Sequence, residues 1–178
     1  QVSEGEQDGS EPQLHLMISF SRPVRILDLC AGTKSVGRAC KTQFPNAKVV
    51  TVDMDKKFNP AIIADLTTWE YRKAFTPGQF DIVWASPPCT EYSRAKTIGQ
   101  RDFKTADKVV HACVEIIDYL QPKAWFIENP HAYLCTRPIM DDLEDYRHTC
   151  TYCQYGADYM KETDIWTNVD VQLKHCAL

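Results

Sequence analysis

Val24-Arg25-Ile26-Leu27-Asp28-Leu29, running into Cys30-Ala31-Gly32, is the stretch that decides the fold class. It is short, apolar at most positions on both faces, and ends in a small-residue turn, as a parallel strand buried on two sides does. Similar runs follow at 48–53, 61–65, 80–85 and 124–129, and between them lie segments that predict helices. One helix is predicted over 35–44, stopped by Pro45, and another over 67–75, before the turn Thr76-Pro77-Gly78. The clearest is carried by Val109, Val110, Cys113, Ile116, Ile117 and Leu120, which fall on one face of a 3.6-residue period. A short helix over 139–146 and strands at 148–154 and 163–167 complete the pattern. Strands alternating with helices at this spacing predict an α/β fold with a doubly wound, mostly parallel sheet.

The chain has 178 residues, room for one domain that can bury a core without disulfide staples. Residues 1–13 carry almost no apolar side chain and read as a flexible tail, leaving 14–178 as a single domain, with 14–20 as a possible edge strand. No apolar run reaches the roughly 20 residues that span a bilayer, and no signal peptide is visible, although a first residue other than Met points to trimming. An intracellular location without membrane contact is the expectation. The net charge of −4 means that any nucleic-acid-binding surface is local or supplied by a partner. Eight cysteines at irregular spacings read as buried reduced thiols rather than a disulfide framework.

Ligands of open α/β sheets bind beyond the carboxyl ends of the strands. Those ends here carry Asp28, then Asp53-Met54-Asp55, Asp65, Ser86-Pro87-Pro88-Cys89 and Glu128-Asn129-Pro130. Acidic groups on three strand ends suit ribose hydroxyls and an adenine amine and repel phosphate, so a nucleoside-type cofactor is expected, against the alternative of merely solvated carboxylates. No G-x-G-x-x-G and no Walker loop occurs. Two prolines fix the backbone before Cys89, which places its thiol for attack on a bound substrate; the alternative is a small apolar plug under a loop. Glu128, one strand away, brings a carboxyl that can share a proton in the same pocket.

Ser86-Pro87-Pro88-Cys89-Thr90-Glu91-Tyr92-Ser93 resembles the P-P-C-Q-x-F-S motif of DNA (cytosine-5) methyltransferases. Glu128-Asn129-Pro130 is similar to their E-N-V motif, and Asp28-Leu29-Cys30-Ala31-Gly32 to their D-L-F-A-G motif. Asp53-Met54 and Asp65 match two further cofactor positions, and 156–166 resembles a late segment with an arginine pair. The resemblance, in correct order from 24 to 168, is to a compact, phage- or virus-like member. It implies a Rossmann-like methyltransferase fold, S-adenosyl-L-methionine as cofactor, and DNA as substrate, RNA remaining open.

On the same basis Cys89 would add to cytosine C6, positioned by Ser86, Pro87 and Pro88. Glu128 would contact N3 and the exocyclic amine, Asn129 would hold the turn, and Lys161 would stand at one of the arginine positions. Asp28, Leu29, Cys30, Ala31 and Gly32 would line the methionine end of the cofactor, Asp53 would take the ribose, Met54 the adenine face and Asp65 the adenine amine. The target base must be flipped out or unpaired.

Departures from the family pattern are Cys30 for Phe, Thr33-Lys34-Ser35 for glycines, Thr90 for Gln, Pro130 for Val, and Lys161 and Thr163 for two arginines. No counterpart of the family's target-recognition region is present, so a separate specificity subunit or missing domain is implied. A second reading is a weak or inactive homologue serving as a cofactor- or DNA-binding accessory subunit. An amino-methyltransferase is disfavoured because Cys89 replaces the aromatic of S-P-P-[YFW]. No metal is required; Cys150, Cys153, His175 and Cys176 could ligate zinc, but residues three apart on a strand face opposite sides. Lys34, Arg94, Lys96, Arg101 and Lys104 put positive charge around the loop of Cys89, where it could track a phosphate backbone.

Overall fold

A computed structural model describes residues 22–176. The predicted tail and the possible edge strand at 14–20 lie outside the described residues. The predicted strands form β1 (Arg25–Leu29), β2 (Lys48–Asp53), β3 (Ile62–Ile63), β4 (Ile82–Ala85), β5 (Ala124–Pro130), β6 (Arg147–Thr151) and β7 (Glu162–Thr167). They make one sheet of order β3-β2-β1-β4-β5-β7-β6. The first five are parallel, and β7 runs antiparallel between β5 and β6. The order reverses between β1 and β4, so a crevice for ligand opens at their carboxyl ends.

Alternate residues of β1 serve opposite faces. Leu27 and Leu29 pack with α3 (Phe103–Leu120), whereas Ile26 faces the side of α1 (Ser35–Gln43). Helix α3 buries Val110, Cys113, Ile116, Ile117 and Leu120, each large aliphatic contributing on the order of 1.5–3 kcal/mol. It begins six residues before its apolar stripe, because the Asp102 side chain accepts from the Thr105 amide and caps it. Helix α1 approaches the sheet through Gly37, where a Cβ would lie 3.3 Å from Val49 Cγ1 and 3.7 Å from the Asp28 carboxylate. At the opposite end of the sheet, buried Asp81 accepts two 2.8 Å bonds from Arg22 and one of 2.9 Å from the Arg25 amide. Burial opposes its charge, but those donors outweigh it and hold the carboxyl below its ordinary range.

Three elements differ from the pattern read in the sequence. The helix expected over 67–75 is only α2 (Tyr71–Ala74), because Asp65 accepts from both the amide and the hydroxyl of Thr67 and turns the chain first. The strand expected over 148–154 stops at Thr151, where the 3-10 turn Tyr152–Tyr155 begins and Gly156, at φ 87°, ends it. The helix near 139–146 is a 3-10 helix, Pro138–Tyr146, started by its proline.

Candidate active site

The turn leaving β1 is built on three left-handed residues within five: Cys30 (φ 54°), Gly32 (φ 45°) and Lys34 (φ 61°). Asp53 holds it. One carboxylate oxygen accepts from the Gly32 amide and the other from the Asp55 amide, both at 2.8 Å. Each oxygen keeps a lone pair for a further donor. Ala31 adds a 3.1 Å bond to the Val52 carbonyl, which ties the ends of β1 and β2 together. Met54, next to Asp53, is 66% exposed, a large apolar side chain left facing solvent at the strand ends. Asp65 is exposed, and the Thr67 hydroxyl and amide hold its carboxyl below the ordinary range, so it is charged at neutral pH.

Asp28 is buried, and one of its oxygens has no hydrogen-bond partner among the described groups. Burial pushes its carboxyl up to about 7; the Gly37 amide opposes the shift and the charge of Asp53 adds to it. Between pH ~4 and ~7 the folded chain therefore keeps a proton that the unfolded chain has lost. Stability contributed through Asp28 falls as pH rises across that window, by up to roughly 4 kcal/mol. Urea unfolding at pH 5 and pH 8 should show this slope in the wild type and a shallower one in Asp28→Asn.

At the end of β4 the Ser86 amide donates to the Leu29 carbonyl at 3.1 Å, and Trp84 Nε1 donates to Ser86 Oγ at 2.9 Å. Pro88 is exposed and Cys89 half-buried. The Cys89 carbonyl accepts from the amides of Tyr92 and Ser93 at 3.0 and 2.7 Å, forming a tight turn whose backbone, not its thiol, is tied down. Tyr92 anchors that turn in the core, its hydroxyl donating to Asp107 at 2.8 Å, while Arg137 grips the same carboxylate.

Asn129, fully buried on β5, donates from Nδ2 to the Pro87 carbonyl at 2.9 Å and so joins the two strand ends. The preceding residue, Glu128, accepts from the Tyr152 hydroxyl at 3.3 Å and has Lys161 Nζ at 3.9 Å. Lys161 also lies 4.8 Å above the Tyr152 ring. Burial first, and the Glu128 charge second, push the Tyr152 phenol up to about 12, so it remains a donor at neutral pH.

The structure thus joins Leu29 to Ser86, Gly32 to Asp53, Pro87 to Asn129, and Lys161 to Glu128. None of these links includes Asp65 or Met54, both exposed. Thr163 is buried opposite Pro130 and Cys150 in the sheet, where a guanidinium would not fit. Tyr152 and Trp84 were not legible in the sequence: neither belongs to a motif, Tyr152 acts on a partner brought near by folding, and Trp84 reads as a strand residue although its Nε1 donates to Ser86. The basic cluster has partners within the fold. Lys96 is spent on Glu91 and the Gln100 carbonyl, Arg101 on the carbonyls of Glu91 and Lys96, and Lys34 on the Asn59 carbonyl. Three of the five cations brace loops.

A switch-point crevice flanked by carboxylates, with a cysteine on a tight turn, fits the fold class of Rossmann-like methyltransferases. A methyltransferase of Entamoeba histolytica has this fold, with a TM-score of 0.60 and 15% identity over 88% of this chain and 57% of that one. A protein encoded within an E. coli prophage aligns with a TM-score of 0.57 and 14% identity over 84% of this chain and 49% of that one. The chain therefore spans about half the length of these solved relatives. Residues 26–144 match the C-5 cytosine-specific DNA methylases. A "Probable DNA (cytosine-5)-methyltransferase" of Frog virus 3 (isolate Goorha) is 36% identical over 164 residues, which cover 83% of this chain and 72% of that protein. The chain belongs to the C-5 cytosine-specific DNA methylase family.

Proposed function

We propose that this chain methylates C5 of cytosine in DNA, with S-adenosyl-L-methionine as donor. The residues present fit that cofactor: Asp53 offers two oriented oxygens for ribose hydroxyls, Asp65 a charged acceptor, and Met54 an exposed apolar surface for a purine ring. Asp28 to Gly32 would line its other end. When bound, it supplies an electrophilic methyl group.

Cys89 Sγ, as thiolate, forms a bond to C6, and the ring electrons gather at C5. Glu128 holds N3 and the exocyclic amine through this addition, itself held by Tyr152 and Lys161. C5 would take the methyl as the donor's sulfur–methyl bond breaks and leaves a neutral thioether; the C5 proton then leaves to solvent and the Sγ–C6 bond breaks, restoring the ring and the thiolate. The bond from Asn129 to the Pro87 carbonyl carries this reading, because it couples the strand end of Glu128 to the turn of Cys89. The catalytic unit lies within residues 14–178, and target choice is weak or comes from a partner or from chain outside these residues. No helix among the described residues is long and apolar enough to cross a membrane, and a DNA substrate places the reaction inside a cell or an infected host.

The test is transfer of radiolabelled methyl groups into DNA, followed by digestion to nucleosides. Label is expected in 5-methylcytosine. Label in an N-methylated base, or cofactor binding without transfer, overturns the reading, the latter in favour of an accessory subunit. RNA offered in parallel should take up less label.

A further inference from the structure

Behind the wall that carries Glu128 and Asn129, three side chains bring three kinds of donor atom together. His131 follows β5 directly, Cys135 lies in the 3-10 turn Leu134–Thr136, and Asp164 stands on β7 opposite Asn129. A ring nitrogen, the sulfur and a carboxylate oxygen all lie within 4.8 Å of one another. Asp164 is fully buried, accepts from Thr149 Oγ1 at 2.7 Å, and faces His131 Nδ1 at 2.9 and 3.0 Å. Arg147 Nη1 is 3.8 Å from the same carboxylate. The methyl-transfer reading uses none of these groups.

We propose that His131, Cys135 and Asp164 bind a zinc-class divalent cation that clamps β5, β7 and the turn after Asn129. The donor set of imidazole, thiolate and carboxylate selects zinc or cobalt over magnesium and calcium, which take oxygen ligands. Ligand atoms of a tetrahedral zinc lie roughly 3.3–3.8 Å apart, so the widest pair must close by about 1–1.5 Å while His131 and Asp164, at 2.9 Å, open by a few tenths of an ångström. Asp164 is fixed in the sheet; the half-exposed His131 and Cys135, on a short turn, are the members free to close. Charge balances too. The dication with Arg147 offsets the thiolate, Asp164 and neighbouring Glu144.

On binding, the Cys135 S–H bond breaks and its proton goes to solvent, while the imidazole proton moves to Nε2 and frees Nδ1. A water completes the four ligands. Without metal the thiol donates to the Ala132 carbonyl at 3.1 Å. The set considered in the sequence, Cys150, Cys153, His175 and Cys176, forms no such group among the described residues: Cys150 is buried in β6 and His175 Nε2 faces Glu162.

The test uses the full chain stripped with a chelator and titrated with zinc or cobalt alone. One equivalent is expected, with a thiolate-to-cobalt absorption band and the visible spectrum of a tetrahedral ion. Cys135→Ser and His131→Ala should each weaken binding by roughly a hundredfold, and Cys153→Ser should not. No stoichiometric binding, a cobalt spectrum without the thiolate band, or a loss confined to Cys153→Ser overturns the proposal. The wild-type spectrum decides even if a variant misfolds. Methyl transfer is not read, so failure here is distinct from failure of the proposed reaction.

Discussion

Cys89→Ser is expected to lower methyl transfer by at least about 10³-fold, some 4 kcal/mol of lost transition-state stabilisation. Serine preserves the shape of the turn but is a far weaker nucleophile at neutral pH. The change should leave stability within about 1 kcal/mol, because the turn is held through the Cys89 carbonyl and the ring of Tyr92 beneath it, not through sulfur. Incubation with cofactor and DNA containing 5-fluorocytosine checks the chemistry directly. Fluorine cannot leave C5 as a proton does, so the wild type should be trapped as a denaturant-resistant adduct and the serine variant should not. Equal transfer by the two proteins would remove Cys89 from the reaction.

Asn129→Ala should damage both fold and reaction. It removes the side-chain donor to the buried Pro87 carbonyl and leaves a cavity between two strand ends. A cost of about 1–3 kcal/mol follows from the orphaned carbonyl. A rate loss of about 10²-fold follows from letting Glu128 and Cys89 drift relative to each other. Asn129→Asp separates the two effects from simple truncation: it keeps the shape but places an acceptor against an acceptor, and should be no more active than the alanine variant. Chemical unfolding and single-turnover transfer rates measure the two quantities. Normal transfer by Asn129→Asp would show that the strand ends need no such link.

The sheet was legible because its information is local. A central strand buried on both faces must be largely apolar, as 82–85 is throughout and 25–29 is at Ile26, Leu27 and Leu29. The α3 stripe likewise follows from one helix laid on one sheet. The site was legible in part for the same reason: strand ends are the positions where a buried run must meet solvent, so Asp53, Asp65, Cys89 and Glu128 could be picked out one by one. Their partners could not. Tyr152 reaches Glu128 from 24 residues away and Asn129 reaches Pro87 from 42. The shortened α2 was missed because a single carboxylate, Asp65, outcompetes the helix for the Thr67 amide. What the basic loop residues hold was not legible either, because side-chain charge is visible in a sequence and the pairing of Lys96 with Glu91 is not.

By itself, the sequence determined the alternation of strands and helices, the order of the strand-end groups and the motifs that assign the family. All of these follow from residue type and spacing along one chain. Tertiary structure alone decided that β7 runs antiparallel beside β5, setting Lys161 near Glu128 and Asp164 beside His131. It also decided which lysines and arginines are spent on the fold. Such pairings depend on distances between segments remote in the chain, and those distances exist only once the sheet has closed its register.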